Sequence, residues 1–157
     1  MKERLNGFHA SFIAEGLCCG YMTSAKGTVL IVDDEPAIRR ALGGTLALLG
    51  YSAHEASSGE QGVDMARRQH YDAIVLDVNM PGLGGIEACR RLRGALPEVG
   101  ILLMSAGGAE TATVEAREAG ADNWLSKPFA MRDLTAWLRL SIGDRRPAPP
   151  ASGPISG

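Results

Sequence analysis

The sequence predicts an α/β fold in which a parallel sheet carries helices on both faces. Two observations predict it. Short, continuous apolar runs recur at Val29-Leu30-Ile31-Val32, Ala73-Ile74-Val75-Leu76 and Ile101-Leu102-Leu103-Met104. Runs of this kind, lacking polar alternation, belong to strands covered on both sides. Between them lie stretches whose apolar residues fall at three- and four-residue spacing, the mark of a helix with one buried stripe.

The elements follow in order as five strand–helix units. The first strand is Val29–Val32; Asp34 is placed to cap the helix after it, Pro36 suits its first turn, and Ile38, Leu42, Leu46 and Leu49 form its buried stripe. Gly50 closes that helix. A short strand near residues 53–55 leads to a helix near residues 58–69, with Val63 and Ala66 inward. The strand at 73–76 runs straight into Asp77. After the turn Met80-Pro81-Gly82-Leu83-Gly84-Gly85, Ile86, Cys89 and Leu92 mark a third helix. The strand at 101–104 ends at Ser105. A helix near residues 110–119 is rich in Ala and weakly apolar, so it should pack least firmly. Trp124-Leu125-Ser126 is a short last strand, and Leu134, Trp137 and Leu138 mark the last helix.

Length and composition fit one globular domain. The chain has 157 residues, 45% hydrophobic and 22% charged, enough to bury a core. A net charge of −2 argues against direct nucleic-acid binding, which draws on a basic surplus. The basic groups at Arg90, Arg91 and Arg93 and at Arg145 and Arg146 read as a solvated helix face and a charged tail. Three cysteines, Cys18, Cys19 and Cys89, lack metal-ligand spacing and suit a reducing cytoplasm better than a disulfide framework. No apolar run reaches the roughly 20 residues that span a bilayer. Lys2 and Arg4 precede an apolar stretch, but His9 and Glu15 interrupt it and Leu17-Cys18-Cys19-Gly20 is a poor cleavage site for a signal peptide. The expected organisation is a poorly structured extension over residues 1–26, with Met22 as the native start, a domain over 27–142, and a disordered tail rich in Pro, Gly and Ser over 143–157.

The chemistry gathers at strand ends. Asp33 and Asp34 follow the first strand, Asp77 the third, Ser105 the fourth and Lys127 the fifth. Singly, each has an ordinary reading: a helix cap for an Asp or Ser, a solvated loop charge for Lys127. Jointly they need a reason, because the strand C-termini of a parallel sheet share one crevice. Crowded carboxylates repel one another unless a cation neutralises them, and Mg2+ does so through one or two carboxylates and retained waters. A divalent ion, an amine and a hydroxyl around one carboxylate suit it to accepting a phosphoryl group.

These residues resemble the receiver domains of bacterial response regulators. The resemblance covers residues 28–142 and rests on Val29-Leu30-Ile31-Val32-Asp33-Asp34-Glu35, Asp77-Val78-Asn79-Met80-Pro81-Gly82, Met104-Ser105-Ala106 and the segment from Gly120 to Phe129. It implies a five-stranded parallel sheet of order 2-1-3-4-5. It also implies that Asp77 becomes an aspartyl phosphate, with the phosphoryl group coming from a histidine kinase or phosphotransfer protein. Asp34, Asp77 and the backbone carbonyl of Asn79 would hold Mg2+, with Asp33 acting through water. Lys127, before a cis bond to Pro128, would contact the phosphate, and Ser105 would bond a phosphate oxygen after activation. Ala106 leaves the phosphate accessible, and Trp124 would turn inward when Ser105 moves, switching contacts with an output protein.

Some positions depart from the family pattern. The switch aromatic is usually Tyr or Phe, and the larger indole of Trp124 also reads as a fixed, partly exposed packing residue. The charged set of the common symmetric receiver dimer is replaced by Thr113, Asn123 and Trp137, so that dimer is not expected, although Asp133 keeps one acidic member. Trp137 reads either as core or as apolar surface for another partner. Gly107, with no acid or amide to orient water, leans toward slow loss of the phosphoryl group. Three other readings compete. A haloacid-dehalogenase-type phosphotransferase needs a second Asp where Asn79 stands. A flavodoxin-like cofactor binder needs a phosphate-cradling loop where Asp33-Asp34-Glu35 would repel one. A docking module, or the remnant of a DNA-binding regulator, would keep the fold without signalling through phosphate; no helix-turn-helix follows residue 142, so this chain alone is not expected to read DNA.

Overall fold

The structure of the protein, a computed structural model, describes residues 25–106 and 109–143, without the side chains of residues 109–113. Five strands and five helices alternate: β1 (Thr28–Val32), α1 (Pro36–Leu48), β2 (Ser52–Ala56), α2 (Gly59–Arg68), β3 (Ala73–Asp77), α3 (Gly85–Ala95), β4 (Gly100–Ser105), α4 (Ala109–Glu118), β5 (Asn123–Ser126) and α5 (Met131–Gly143). All strand pairs are parallel, in the order β2-β1-β3-β4-β5. The chain reverses its direction of travel across the sheet between β1 and β3, and their C-terminal ends bound the crevice expected at such a point.

The side-chain alternation of the central strands sorts the core into two layers. Leu30, Val32, Ile74, Leu76, Ile101 and Leu103 pack with Val63 and Ala66 of α2, Ala88, Cys89 and Leu92 of α3, and Ala116 of α4. Val29, Ile31, Val75, Leu102 and Met104 pack with Leu42 and Leu46 of α1 and Leu134, Trp137 and Leu138 of α5. Both faces of β1, β3 and β4 are therefore covered, which is why their sequences show continuous apolar runs. Trp137 belongs to this core, being 7% exposed, and does not present an apolar surface. Among the described side chains of α4, Ala116 is buried and Val114 is exposed.

Helix ends follow the sequence with one correction. Ser58 caps α2 by accepting a hydrogen bond from the Gln61 N–H at 3.2 Å. Gly50 takes a positive φ of 90° after α1, a conformation that glycine adopts at no steric cost. Asp34 does not cap α1: the capping position is Glu35, which makes no side-chain capping bond, and Pro36 opens the helix. Proline lacks the N–H that would otherwise need a partner, so the cap is less needed. The carboxylate that ties down this turn is Asp33, whose Oδ1 accepts the Glu35 N–H at 2.8 Å. Far from the crevice, Arg93 joins α3 to the turns before β4 and β5. Its guanidinium donates to the carbonyls of Gly120, Pro97 and Val99 and to Asp122 Oδ2, which also accepts the Ile101 N–H. No helix among the described residues is long and apolar enough to cross a membrane. The extension up to residue 24, including Met22, and the tail from residue 144 lie outside the described residues, as does Gly107.

Candidate functional site

The strand register sets the site. Val32 pairs with Leu76, Asp77 with Met104 and Ser105 with Ser126, so the residues that end β1, β3, β4 and β5 lie along one edge of the sheet. Asp33 is fully buried and Asp77 is 3% exposed, whereas the neighbouring Asp34 is exposed. One carboxylate oxygen from each of the three lies within 4.8 Å of the others. Lys127 reaches over them from the end of β5, its Nζ 2.9 Å from Asp33 Oδ2 and 2.9 Å from Asp77 Oδ1. The Lys127 N–H donates to the Ser105 carbonyl at 2.8 Å, and the Lys127–Pro128 bond is cis, as the family resemblance implies.

Charge explains how these groups coexist. Burial pushes the Asp77 carboxyl above its ordinary range, the Lys127 hydrogen bond and charge oppose this, and the charges of Asp33 and Asp34 add to the rise. Burial alone would depress Lys127, but its hydrogen bonds and attraction to Asp33 and Asp77 win, and its ammonium is held charged. One cation thus serves two buried anions, with the exposed Asp34 carboxylate left beside them. Three oxygen donors within reach of one another, one of them solvent-facing, form a hard donor set that fits Mg2+.

The sequence-predicted residues are placed as follows. Asp33, Asp34, Asp77 and Lys127 come together. Ser105, 4% exposed, ends β4 beside them. Asn79 is exposed in the loop after β3, two residues past Asp77, and Ala106 is exposed just past Ser105. Trp124 stands apart, partly buried in β5, paired with Leu103 and packed against the core layer of α2, α3 and α4. Two residues were missed. Arg39 in α1 donates from Nη1 to the Asp33 carbonyl at 2.7 Å and pairs through Nε with Glu55 of β2 at 3.5 Å, bracing the turn that carries both aspartates. Glu60 in α2 accepts the Leu83 N–H of the β3–α3 loop at 2.9 Å. Neither shows a pattern in sequence, since each reads as one more charge on a helix.

Gly85 brings α3 against the site: a Cβ there would overlap the Asp77 carbonyl oxygen, so α3 begins directly on the backbone of Asp77. The family model of the response regulator receiver domain matches residues 29–139. The chain belongs to the response regulator receiver family. It is 40% identical over 119 residues to the response regulator MprA of Mycobacterium tuberculosis, a match covering 76% of this chain and 52% of that protein. The receiver thus spans about half the length of such curated relatives. Among solved structures, it resembles the receiver domain of a sensor histidine kinase from Pseudomonas aeruginosa that has a magnesium ion coordinated in its active site cleft. That match has a TM-score of 0.69 and 32% identity, covering 74% of this chain and 98% of that one. It also resembles the response regulator TrrA of Thermotoga maritima in complex with Mg2+ and BeF, with a TM-score of 0.67 and 30% identity over 73% of this chain and 97% of that one. A receiver of this kind is a domain of two-component signalling.

Proposed function

We propose that this receiver accepts a phosphoryl group on Asp77 from the phosphohistidine of a histidine kinase or phosphotransfer protein. The observation that carries the reading is the shared Lys127 ammonium, 2.9 Å from both Asp33 and Asp77, beside a third carboxylate. In the transfer, a carboxylate oxygen of Asp77 forms the new O–P bond as the donor's N–P bond breaks and its electron pair returns to the imidazole. Lys127 sits where it can leave the carboxylate and follow the charge onto the phosphoryl oxygens, so its ammonium is matched to the product. Mg2+, when bound, would be held by Asp34, Asp77 and the Asn79 carbonyl, with Asp33 through water, and would supply further positive charge beside the phosphoryl oxygens. The Ser105 hydroxyl would then bond a phosphoryl oxygen, drawing the β4–α4 junction inward, and Trp124 would take up the space this vacates. Such a two-state shift changes the surface of α4, β5 and α5 that an output protein contacts.

The test is intact mass after incubation with a small acyl-phosphate donor, with and without Mg2+, on wild type and Asp77→Ala. A Mg2+-dependent adduct of one phosphoryl group that disappears in the variant supports the reading. A folded wild type that binds Mg2+ and forms no adduct overturns it in favour of a docking module. Following the adduct over time tests the slow hydrolysis expected from Gly107: loss within seconds would contradict it.

A further inference from the structure

The reach of α2 into the site is not used by the chemistry above. The loop after Asp77 carries Asn79 and must hold its backbone in place. It is tied at its start by the Val78 N–H to the Met104 carbonyl, 2.8 Å, and at its end by the Gly85 N–H to the Val78 carbonyl, 3.1 Å. Between these ties the backbone turns through two positive φ values, 77° at Gly82 and 68° at Gly84, conformations that glycine adopts as readily as any other and that do not stiffen a loop. The Glu60 carboxylate meets it there. Its Oε1 accepts the Leu83 N–H at 2.9 Å, and a Cβ on Gly82 would stand only 2.7 Å from the same oxygen. One residue earlier, a Cβ on Gly59 would lie 3.3 Å from the Leu83 Cβ and 3.4 Å from the Gly84 carbonyl oxygen, so the first turn of α2 and the loop are fitted closely together. Glu60 itself is solvent-exposed, so burial does not account for its position. Hydrogen bonds from its own N–H and from Leu83 hold its carboxyl below the usual range, which keeps it an acceptor.

We propose that Glu60 is a positioning residue for the metal site: by clamping the Leu83 N–H it sets the β3–α3 loop so that the Asn79 carbonyl is presented to a divalent cation. This rests on the reading of Asp34, Asp77 and the Asn79 carbonyl as the metal-holding set. It makes α2, which contributes no ligand, part of the outer support of the site, as partners behind first ligands commonly are.

The experiment uses the full chain as wild type, Glu60→Ala and Glu60→Gln, with Mg2+ affinity read by titration calorimetry and the Leu83 amide by hydrogen exchange. Glu60→Ala should speed exchange at Leu83 and weaken Mg2+ binding by about tenfold, the low end for outer partners of a metal site. Glu60→Gln should restore both, because the amide oxygen accepts the same N–H. If the charge of Glu60 matters only to the N-terminus of α2, Gln fails to rescue, and the proposal falls. It also falls if Ala speeds exchange at Leu83 but leaves Mg2+ affinity at the wild-type value, or if exchange does not change. Wild type failing to bind Mg2+, or binding it equally well as Asp77→Asn, would overturn the metal-site reading itself and this inference with it.

Discussion

Replacing Asp77 by Asn should remove the phosphoacceptor and yet make the metal-free protein more stable. The reason is electrostatic. At an effective dielectric of about 20, two unit charges 4.8 Å apart repel by about 3.5 kcal/mol, and Asp77 has two such neighbours in Asp33 and Asp34. The Lys127 ammonium at 2.9 Å returns about 6 kcal/mol on the same scale, so repulsion and attraction nearly cancel and the burial of Asp77 decides the sign. Solvent weakens the share of the exposed Asp34, so the penalty for burying the Asp77 charge is what remains, giving a stabilisation of about 1–2 kcal/mol for the neutral isostere. For a domain of this size that is a rise of about 3–6 °C in Tm. The sign can be checked against pH. Asp77 has a folded pKa raised above its unfolded value, so its contribution is intact below the unfolded pKa and is lost as pH rises through the folded one. The gap between Asn and wild type should therefore be absent in acid, open from about pH 4 upward and be fully developed at neutral pH. Thermal and urea unfolding in EDTA measure it, and added Mg2+ should narrow the gap by stabilising wild type more, through mass action on the folded state. An Asn variant less stable than wild type in EDTA at neutral pH would refute the reasoning.

Other consequences of the packing can be measured separately. Gly44→Ala, on an open face of α1 where an added Cβ meets nothing within 4 Å, should stabilise by about 0.5–1 kcal/mol through helix propensity. Gly62→Ala places a Cβ 2.8 Å from Val32 Cγ2, and overpacking of about 1–3 kcal/mol should cancel or exceed the same gain; equal urea midpoints for the two variants would contradict the close α2–β1 contact. Cys89 is fully buried, donates to the Ala119 carbonyl at 3.4 Å and has its thiol pushed up to about 11. Peptide mapping after iodoacetamide treatment at pH 8 should find it unmodified in the native protein and alkylated in denaturant; native labelling at the denatured rate would be inconsistent with this core. Asn123 spends its side-chain oxygen on the Trp124 N–H at 2.8 Å, and Trp137 is buried, so two of the positions that would pair charges across a symmetric receiver dimer offer none. Phosphorylation is therefore not expected to produce that particular dimer, and sedimentation with cross-linking of the phosphorylated protein that found a dimer joined through its α4 and α5 faces would overturn that expectation.

The fold was legible because burial on both faces leaves a direct trace, the continuous apolar runs Val29–Val32 in β1, Ala73–Leu76 in β3 and Ile101–Met104 in β4. The strand ends were legible for a related reason, since Asp33, Asp77 and Ser105 are the polar residues that terminate those runs, while Lys127 directly follows the short last strand β5. The sequence by itself therefore determined the element order, the two-layered core and the set of residues that share the crevice. What it could not determine was the division of labour among them. Local pattern did not distinguish Asp33 from Asp34, yet one is fully buried, ties the α1 turn and meets Lys127, while the other is exposed. Nor could it seat Trp137 in the core or bring Arg39 and Glu60 to the site. The Asp33–Lys127 contact joins residues 94 apart along the chain. Sequence periodicity records which face of an element is buried, but which side chain meets which depends on strand order and register, and those exist only once the sheet has formed.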